Sequence, residues 1–235
     1  MNIAAIYRYK ILYTVLISIL TIHLLQGQEL MEKKNGKLKQ PTFVYASLGV
    51  SKPDSKYPYN ADINSGIPFP VIGLTGLVGG TYFITKHYGL NAELSGNYFF
   101  ESLSSGDNFT HDVGQTTEKS RWLNAHLLIS PMYSSVFHRF AVDYKLMTGV
   151  TLLHVPAFTV KYQHSSTITQ NESTTLGWSL GIGVRARYRI SNRLGCFFNN
   201  EYINDITKWE SYHHRKSFNC FNSQLGIVLY LGGGK

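Results

Sequence analysis

At 235 residues the chain holds one domain or two small ones, and 43% hydrophobic residues with a mean hydropathy of −0.11 is ordinary for a soluble protein. That average also suits a narrow barrel, whose alternating strands never build a long apolar run, and 16 Tyr with 21 Gly fit such a wall. The formal charge of +8 would suit nucleic acid, a partner that the export signal described next argues against.

Arg8 and Lys10 precede an apolar run over residues 11–25, and Gly27 then offers a small residue for cleavage. This pattern predicts a signal peptide over residues 1–27. A lone membrane anchor fits less well, because His23 interrupts the run and no basic stop-transfer cluster follows. No Cys stands at the cleavage site for a lipid anchor. Residues 28–41, with Lys33, Lys34, Lys37 and Lys39, read as a polar periplasmic linker.

From residue 42 the side chains alternate with a period of two, which is the mark of an extended strand. Residues 43–50 set Val44, Ala46, Leu48 and Val50 against Phe43, Tyr45, Ser47 and Gly49; a long loop over 51–69 follows. Residues 71–85 put Ile72, Leu74, Val78, Tyr82 and Ile84 on one face. After a short turn, residues 88–101 put Tyr88, Leu90, Ala92, Leu94, Tyr98 and Phe100 opposite Asn91, Glu93, Ser95, Asn97 and Glu101. Residues 102–120 are a long polar loop. Residues 122–133 alternate Leu123, Ala125, Leu127, Ile129 and Tyr133 with Asn124, His126, Ser130 and Met132, and Pro131 is expected near the strand end or a bulge. A tight connection at 136–138 leads to 140–152, where Asp143, Lys145, Gly149 and Thr151 oppose Phe140, Val142, Tyr144, Leu146, Val150 and Leu152.

Residues 154–175 are long again, with Phe158, Val160 and Tyr162 expected to extend the preceding strand. Residues 176–191 carry the clearest alternation in the chain. Leu176, Trp178, Leu180, Ile182, Val184, Ala186, Tyr188 and Ile190 oppose a set that includes Arg185, Arg187 and Arg189. Trp178 and Tyr188 lie about 33 Å apart along the strand at roughly 3.3 Å per residue. A tilt of about 40° makes that a height of about 25 Å, the apolar band of a membrane barrel with its aromatic girdles. Tyr88 and Tyr98 repeat the spacing. The turn Asn192-Arg193, a strand over 195–203, a last long loop over 204–216 and a closing strand over 221–231 complete the chain.

Eight strands with connections in the order long, short, long, short, long, short, long require an all-β, eight-stranded antiparallel up-and-down transmembrane β-barrel over residues 42–232, with a tail over 233–235. Short turns and both termini then lie on the periplasmic side. Cys196 falls with the outward set and Cys220 with the inward set, which predicts two free thiols.

Residues 42–231 resemble the small outer-membrane barrels of the OmpA/OmpX-like class. Gln224, Gly226, Leu229 and Leu231 are similar to the insertion signal read by barrel-assembly machinery, although Leu231 rather than an aromatic residue ends it. The resemblance implies the outer membrane of a Gram-negative bacterium. It implies lipid, lipopolysaccharide and the assembly machinery as partners, together with a possible extracellular ligand for loops near Tyr57, Phe109, Tyr162 and Trp209.

Inward Arg185, Arg187, Arg189, Glu93, Asp143 and Glu201 are expected to form a charge network that closes the lumen, since eight strands leave room only for side chains. A narrow anion path is the functional alternative. Lipid A deacylases carry His-x-Ser-Asn on the penultimate strand, where this chain has Glu201-Tyr202-Ile203-Asn204. His164-Ser165-Ser166 with Glu172 offers a His-x-Ser elsewhere, in a loop tip. His126 reads as an isolated lumen hydrogen-bonding group, and His213-His214 as loop residues rather than ligands. Asn108 and Asn171 begin glycosylation-like triplets that carry little meaning in a bacterium. Neither cofactor nor metal nor catalytic residue is expected, and a non-enzymatic membrane barrel is the leading reading. The alternatives are a lipid A-modifying acyl hydrolase and a soluble lipocalin-like binder whose apolar set faces inward.

Overall fold

The computed structural model describes residues 40–53, 69–102, 121–161, 167–211 and 214–231. The predicted signal peptide, most of the linker, residues 232–235, Tyr57, Asn108, Phe109, Tyr162, the His164-Ser165-Ser166 triplet and His213 lie outside them.

The strands are β1 (Thr42–Pro53), β2 (Phe69–Phe83), β3 (Tyr88–Ser102), β4 (Trp122–Phe137), β5 (Phe140–Val155), β6 (Phe158–Lys161), β7 (Thr167–Gln170), β8 (Ser173–Arg189), β9 (Leu194–Ser211) and β10 (His214–Leu231). Eight of them close in the order β1-β10-β9-β8-β5-β4-β3-β2, every pair antiparallel. The ring shuts where Thr42 pairs with Leu231 and Pro53 with Cys220. A ring has no edge, so the ladders satisfy backbone groups all the way round.

The alternation sorts the side chains. Leu48, Leu176, Leu225 and Ile227 stand on the outer wall at 62–77% exposure, while Glu93, Asp143, Arg185 and Glu201 inside are at 2% or less. A lipocalin-like arrangement needs the reverse, and the structure excludes it.

Three local expectations are corrected. Pro131 lies within β4, which runs on to Phe137. It pairs with Leu90 on β3, while on the β5 side the ladder passes from Ile129↔Thr148 to Met132↔Lys145. Proline has no N–H for the intervening bond, so the strand tolerates it as a local gap in one ladder. Residues 204–216 are not a long loop: β9 and β10 stay paired up to Ser211↔His214. Since β9 leaves β8 at Ile206 and β10 leaves β1 at Cys220, the remainder is a two-stranded ribbon, with a register shift between Lys216 and Phe218. Residues 158–161 do not extend β5 but pair with β7 as a separate hairpin.

The lumen also holds more apolar matter than alternation alone suggests. Phe99, Trp122, Leu128, Met147, Leu153, Val155, Ile203, Phe218 and Cys220 pack at the end remote from the short turns. Phe43, Tyr45, Leu77, Phe83, Met132, Phe197, Val228 and Tyr230 pack at the other. Cys196 is exposed on β9 and Cys220 buried on β10; both are free thiols.

Candidate functional site

A polar core packed among the aromatic residues of the second cluster starts at β5 and β8. Their register places Asp143 opposite Arg185, and parity sends both inward. Arg185 Nε donates to Asp143 Oδ2 at 3.0 Å; Arg187, two residues on, donates through Nε to the same oxygen at 2.6 Å and through Nη2 to Oδ1 at 2.9 Å. Ser134 Oγ adds a bond to Asp143 Oδ1 at 2.7 Å. The aromatic cluster completes the solvation of the cations. The Arg185 guanidinium lies 4.3 Å from the centroid of Tyr45, and that of Arg187 lies 4.4 Å from Phe43. An aromatic face attracts a cation most when water is excluded.

Lys145 is two residues from Asp143 on β5. Its Nζ donates to Glu93 Oε2 on β3 at 2.9 Å and to Glu201 Oε1 on β9. Tyr45 and Asn91 also donate to Glu93 Oε2, each at 2.9 Å. Glu93, Asp143 and Glu201 therefore face Lys145, Arg185 and Arg187, three formal charges of each sign, all 3% exposed or less. Buried ions are tolerable only when paired and hydrogen-bonded.

Arg189 departs from the expected network. It sits at the rim, where its guanidinium donates to the carbonyls of Ser191 and Asn192 and lies 4.9 Å from the Tyr230 ring centroid. Its position at the last residue of β8 leaves it beside the turn rather than within the lumen. Lys145, which parity placed inward, is the cation that the expected network lacked.

A second cluster lies nearer the β9–β10 ribbon. Asp205 on β9 accepts from Ser179 Oγ and Asn124 Nδ2, each at 2.6 Å, and its Oδ1 is 3.0 Å from His126 Nε2. Ser95 Oγ is 3.3 Å from His126 Nδ1. His126 is thus tied on both ring nitrogens rather than isolated. Asp205 was hidden in the expected loop 204–216; the continuing alternation of Ile203 and Asp205 against Asn204 and Ile206 is the signal that finds it. The order Ser95, His126, Asp205 resembles a nucleophilic triad in composition. Each member is 2% exposed or less, and the carboxylate also holds two further donors, so the cluster cross-links β3, β4, β8 and β9.

Of the remaining candidate residues, Tyr88 and Trp178 are exposed on the outer wall at 61% and 64%, Tyr188 is exposed and Tyr98 half-buried. Tyr88, Tyr133 and Tyr144 form a ladder across β3, β4 and β5, with centroids 5.4 and 6.5 Å apart. Gln224 is buried inward, bonded to Asn199 and Thr75; Gly226 abuts the Phe197 ring, and Leu229 and Leu231 face out. Glu172 lies 3.6 Å from His154 across the base of the β6–β7 hairpin. No group of three or more His, Cys, Asp or Glu among the described residues is arranged to hold a metal ion.

No protein-family profile and no curated protein sequence matches the chain. Solved structures do. Neisserial surface protein A is similar with a TM-score of 0.50 at 7% identity, over 81% of this chain and 97% of that one. Ail of Yersinia pestis gives 0.45 at 11% identity, over 83% and 100%. OprG of Pseudomonas aeruginosa gives 0.45 at 11% identity, over 83% and 98%. At such identities the likeness is one of fold, and the fold is the closed eight-stranded barrel of the small outer-membrane proteins.

Proposed function

We propose that the protein is a non-enzymatic integral barrel of a bacterial outer membrane, exported by residues 1–27, inserted by the barrel-assembly machinery and surrounded by lipid and lipopolysaccharide. One observation carries this reading: a predominantly apolar outer wall, aromatic toward both ends, encloses a lumen in which Glu93, Asp143 and Glu201 are matched by Lys145, Arg185 and Arg187. Soluble monomers rarely expose apolar patches beyond a few hundred Å²; acyl chains are the solvent that such a wall fits.

Aromatic packing against the ion pairs, with a second apolar cluster toward the other end, supports a closed lumen rather than an anion path. The termini then lie in the periplasm with the short turns, and the β6–β7 hairpin, the β9–β10 ribbon and the long connections face outward as contacts for surface partners. Fractionation with electrophoresis of heated and unheated samples tests the membrane reading: the folded barrel should sediment with outer membranes and change mobility on boiling. In planar bilayers no stable open state is expected. A soluble periplasmic protein, or a steady anion-selective conductance, overturns the respective half of the proposal.

A further inference from the structure

Most of the outer wall is apolar, but one seam is not. Along β1–β5 and β8 the outward positions between the aromatic ends are occupied by aliphatic, aromatic, glycine and proline residues, apart from Lys52 and Thr148. On β9 and β10 the same set includes Asn200, Asn204, Asn219 and Ser223. The register makes them two cross-strand pairs, Asn200↔Ser223 and Asn204↔Asn219. Asn200 lies opposite Val184 on β8, near the midpoint between Trp178 and Tyr188, and Asn204 lies opposite Leu180. Across the barrel, Ala92, Leu94 and Gly96 on β3 and Ala125, Leu127 and Ile129 on β4 carry no polar side-chain group.

Within the seam, Ser223 Oγ donates to Asn200 Oδ1, which occupies that amide's acceptor and leaves its N–H donors for another partner. Asn219 Oδ1 is itself buried, without a hydrogen-bond partner among the described residues, and so is not offered to a neighbouring molecule. Hydrocarbon supplies neither donors nor acceptors, so amides at this depth are stabilised by a protein surface. A primary amide carries both functions and is its own complement. Two copies related by a two-fold axis along the barrel would therefore bring the same amides face to face, an isologous contact. Leu180, Ile182 and Val184 on β8 and Leu48 and Val50 on β1 would supply apolar flanks on either side.

We propose that the β9–β10 seam is the interface of a homodimer within the membrane, held by Asn200, Asn204, Asn219 and Ser223. This rests on the membrane reading above. The test uses the full-length mature protein in phosphatidylcholine vesicles at low protein-to-lipid ratio, in a Cys196→Ser background. Under mild oxidation Ser223→Cys should give a covalent dimer at least ten times more abundant than Leu127→Cys on the opposite wall; equal yields, or no dimer with Ser223→Cys, overturn the proposal.

Replacing Asn200, Asn204 and Asn219 by Leu should weaken dimerisation, followed by energy transfer between labelled copies, at least tenfold while the heat-dependent mobility shift persists. Unchanged transfer refutes the seam. Where the triple variant does not fold, the Ser223→Cys comparison decides. A wild-type protein that stays in the vesicle fraction but is monomeric refutes the dimer alone, whereas a soluble one refutes the membrane reading.

Discussion

Arg187 grips both oxygens of Asp143, Nε to Oδ2 at 2.6 Å and Nη2 to Oδ1 at 2.9 Å, while Arg185 shares Oδ2. One carboxylate thus neutralises much of two buried cations.

Asp143→Ala removes the shared anion and leaves both guanidinium groups in the lumen. A loss of about 3–5 kcal/mol is expected, the usual effect of breaking a buried pair from one side. Urea unfolding in lipid vesicles, followed by tryptophan fluorescence, measures it. A loss below about 1 kcal/mol would mean that the lumen admits water and screens the arginines.

Lys145 joins Glu93 and Glu201, which lie on strands that do not touch each other in the ring. Lys145→Met should be strongly destabilising because two carboxylates then face one another. Adding Glu93→Gln and Glu201→Gln should recover much of the loss. The non-additivity expected between neighbours in one network is about 0.5–3 kcal/mol, and strictly additive effects would argue against the bridge.

A Cβ at Gly226 would lie 2.3 Å from the Ala46 carbonyl oxygen and 2.5 Å from the Phe197 ring. Gly226→Val should therefore lower the stability of purified barrel refolded into vesicles, by about 1–3 kcal/mol or more, as overpacking does. This separates packing from recognition. Normal stability after refolding, with a defect only in cells, would assign the glycine to the assembly machinery instead.

His138 holds a φ of 55° in the turn between the paired residues Phe137 and Phe140. A side chain in this left-handed region costs roughly 1–2 kcal/mol, which glycine avoids. His138→Gly is expected to raise the unfolding midpoint, with a gain of about 1 kcal/mol offset in part by the greater freedom of the unfolded glycine. A lowered midpoint would show that the histidine makes a contact outweighing the strain.

The two thiols give a simple test of which way the wall faces. Cys196 should react with a membrane-permeant maleimide in the folded protein, while Cys220, wholly buried, should react only after unfolding. Equal labelling of both in the folded state would contradict the assigned faces.

Much of the architecture was legible because a period of two is a local property. Each strand reports its own inner and outer face, so the charged set of β8 and the apolar set opposite it needed no knowledge of their neighbours. The reading failed where local composition imitates a loop. Asn204, Asp205 and the polar residues that follow look like a connection, yet they continue β9 and bring Asp205 beneath Ser179 and His126. Pro131 was expected near a strand end or a bulge, yet it lies within β4, which runs on to Phe137.

By itself the sequence determined that the chain alternates, how many strands close the barrel and which of their residues share a face. It could not determine which carboxylate meets which cation across the lumen. Glu93, Lys145 and Glu201 come together only after closure, when strands distant along the chain acquire a common height and a common axis. That choice depends on register and curvature around the whole ring, whereas facing in or out is decided within each strand by steric alternation.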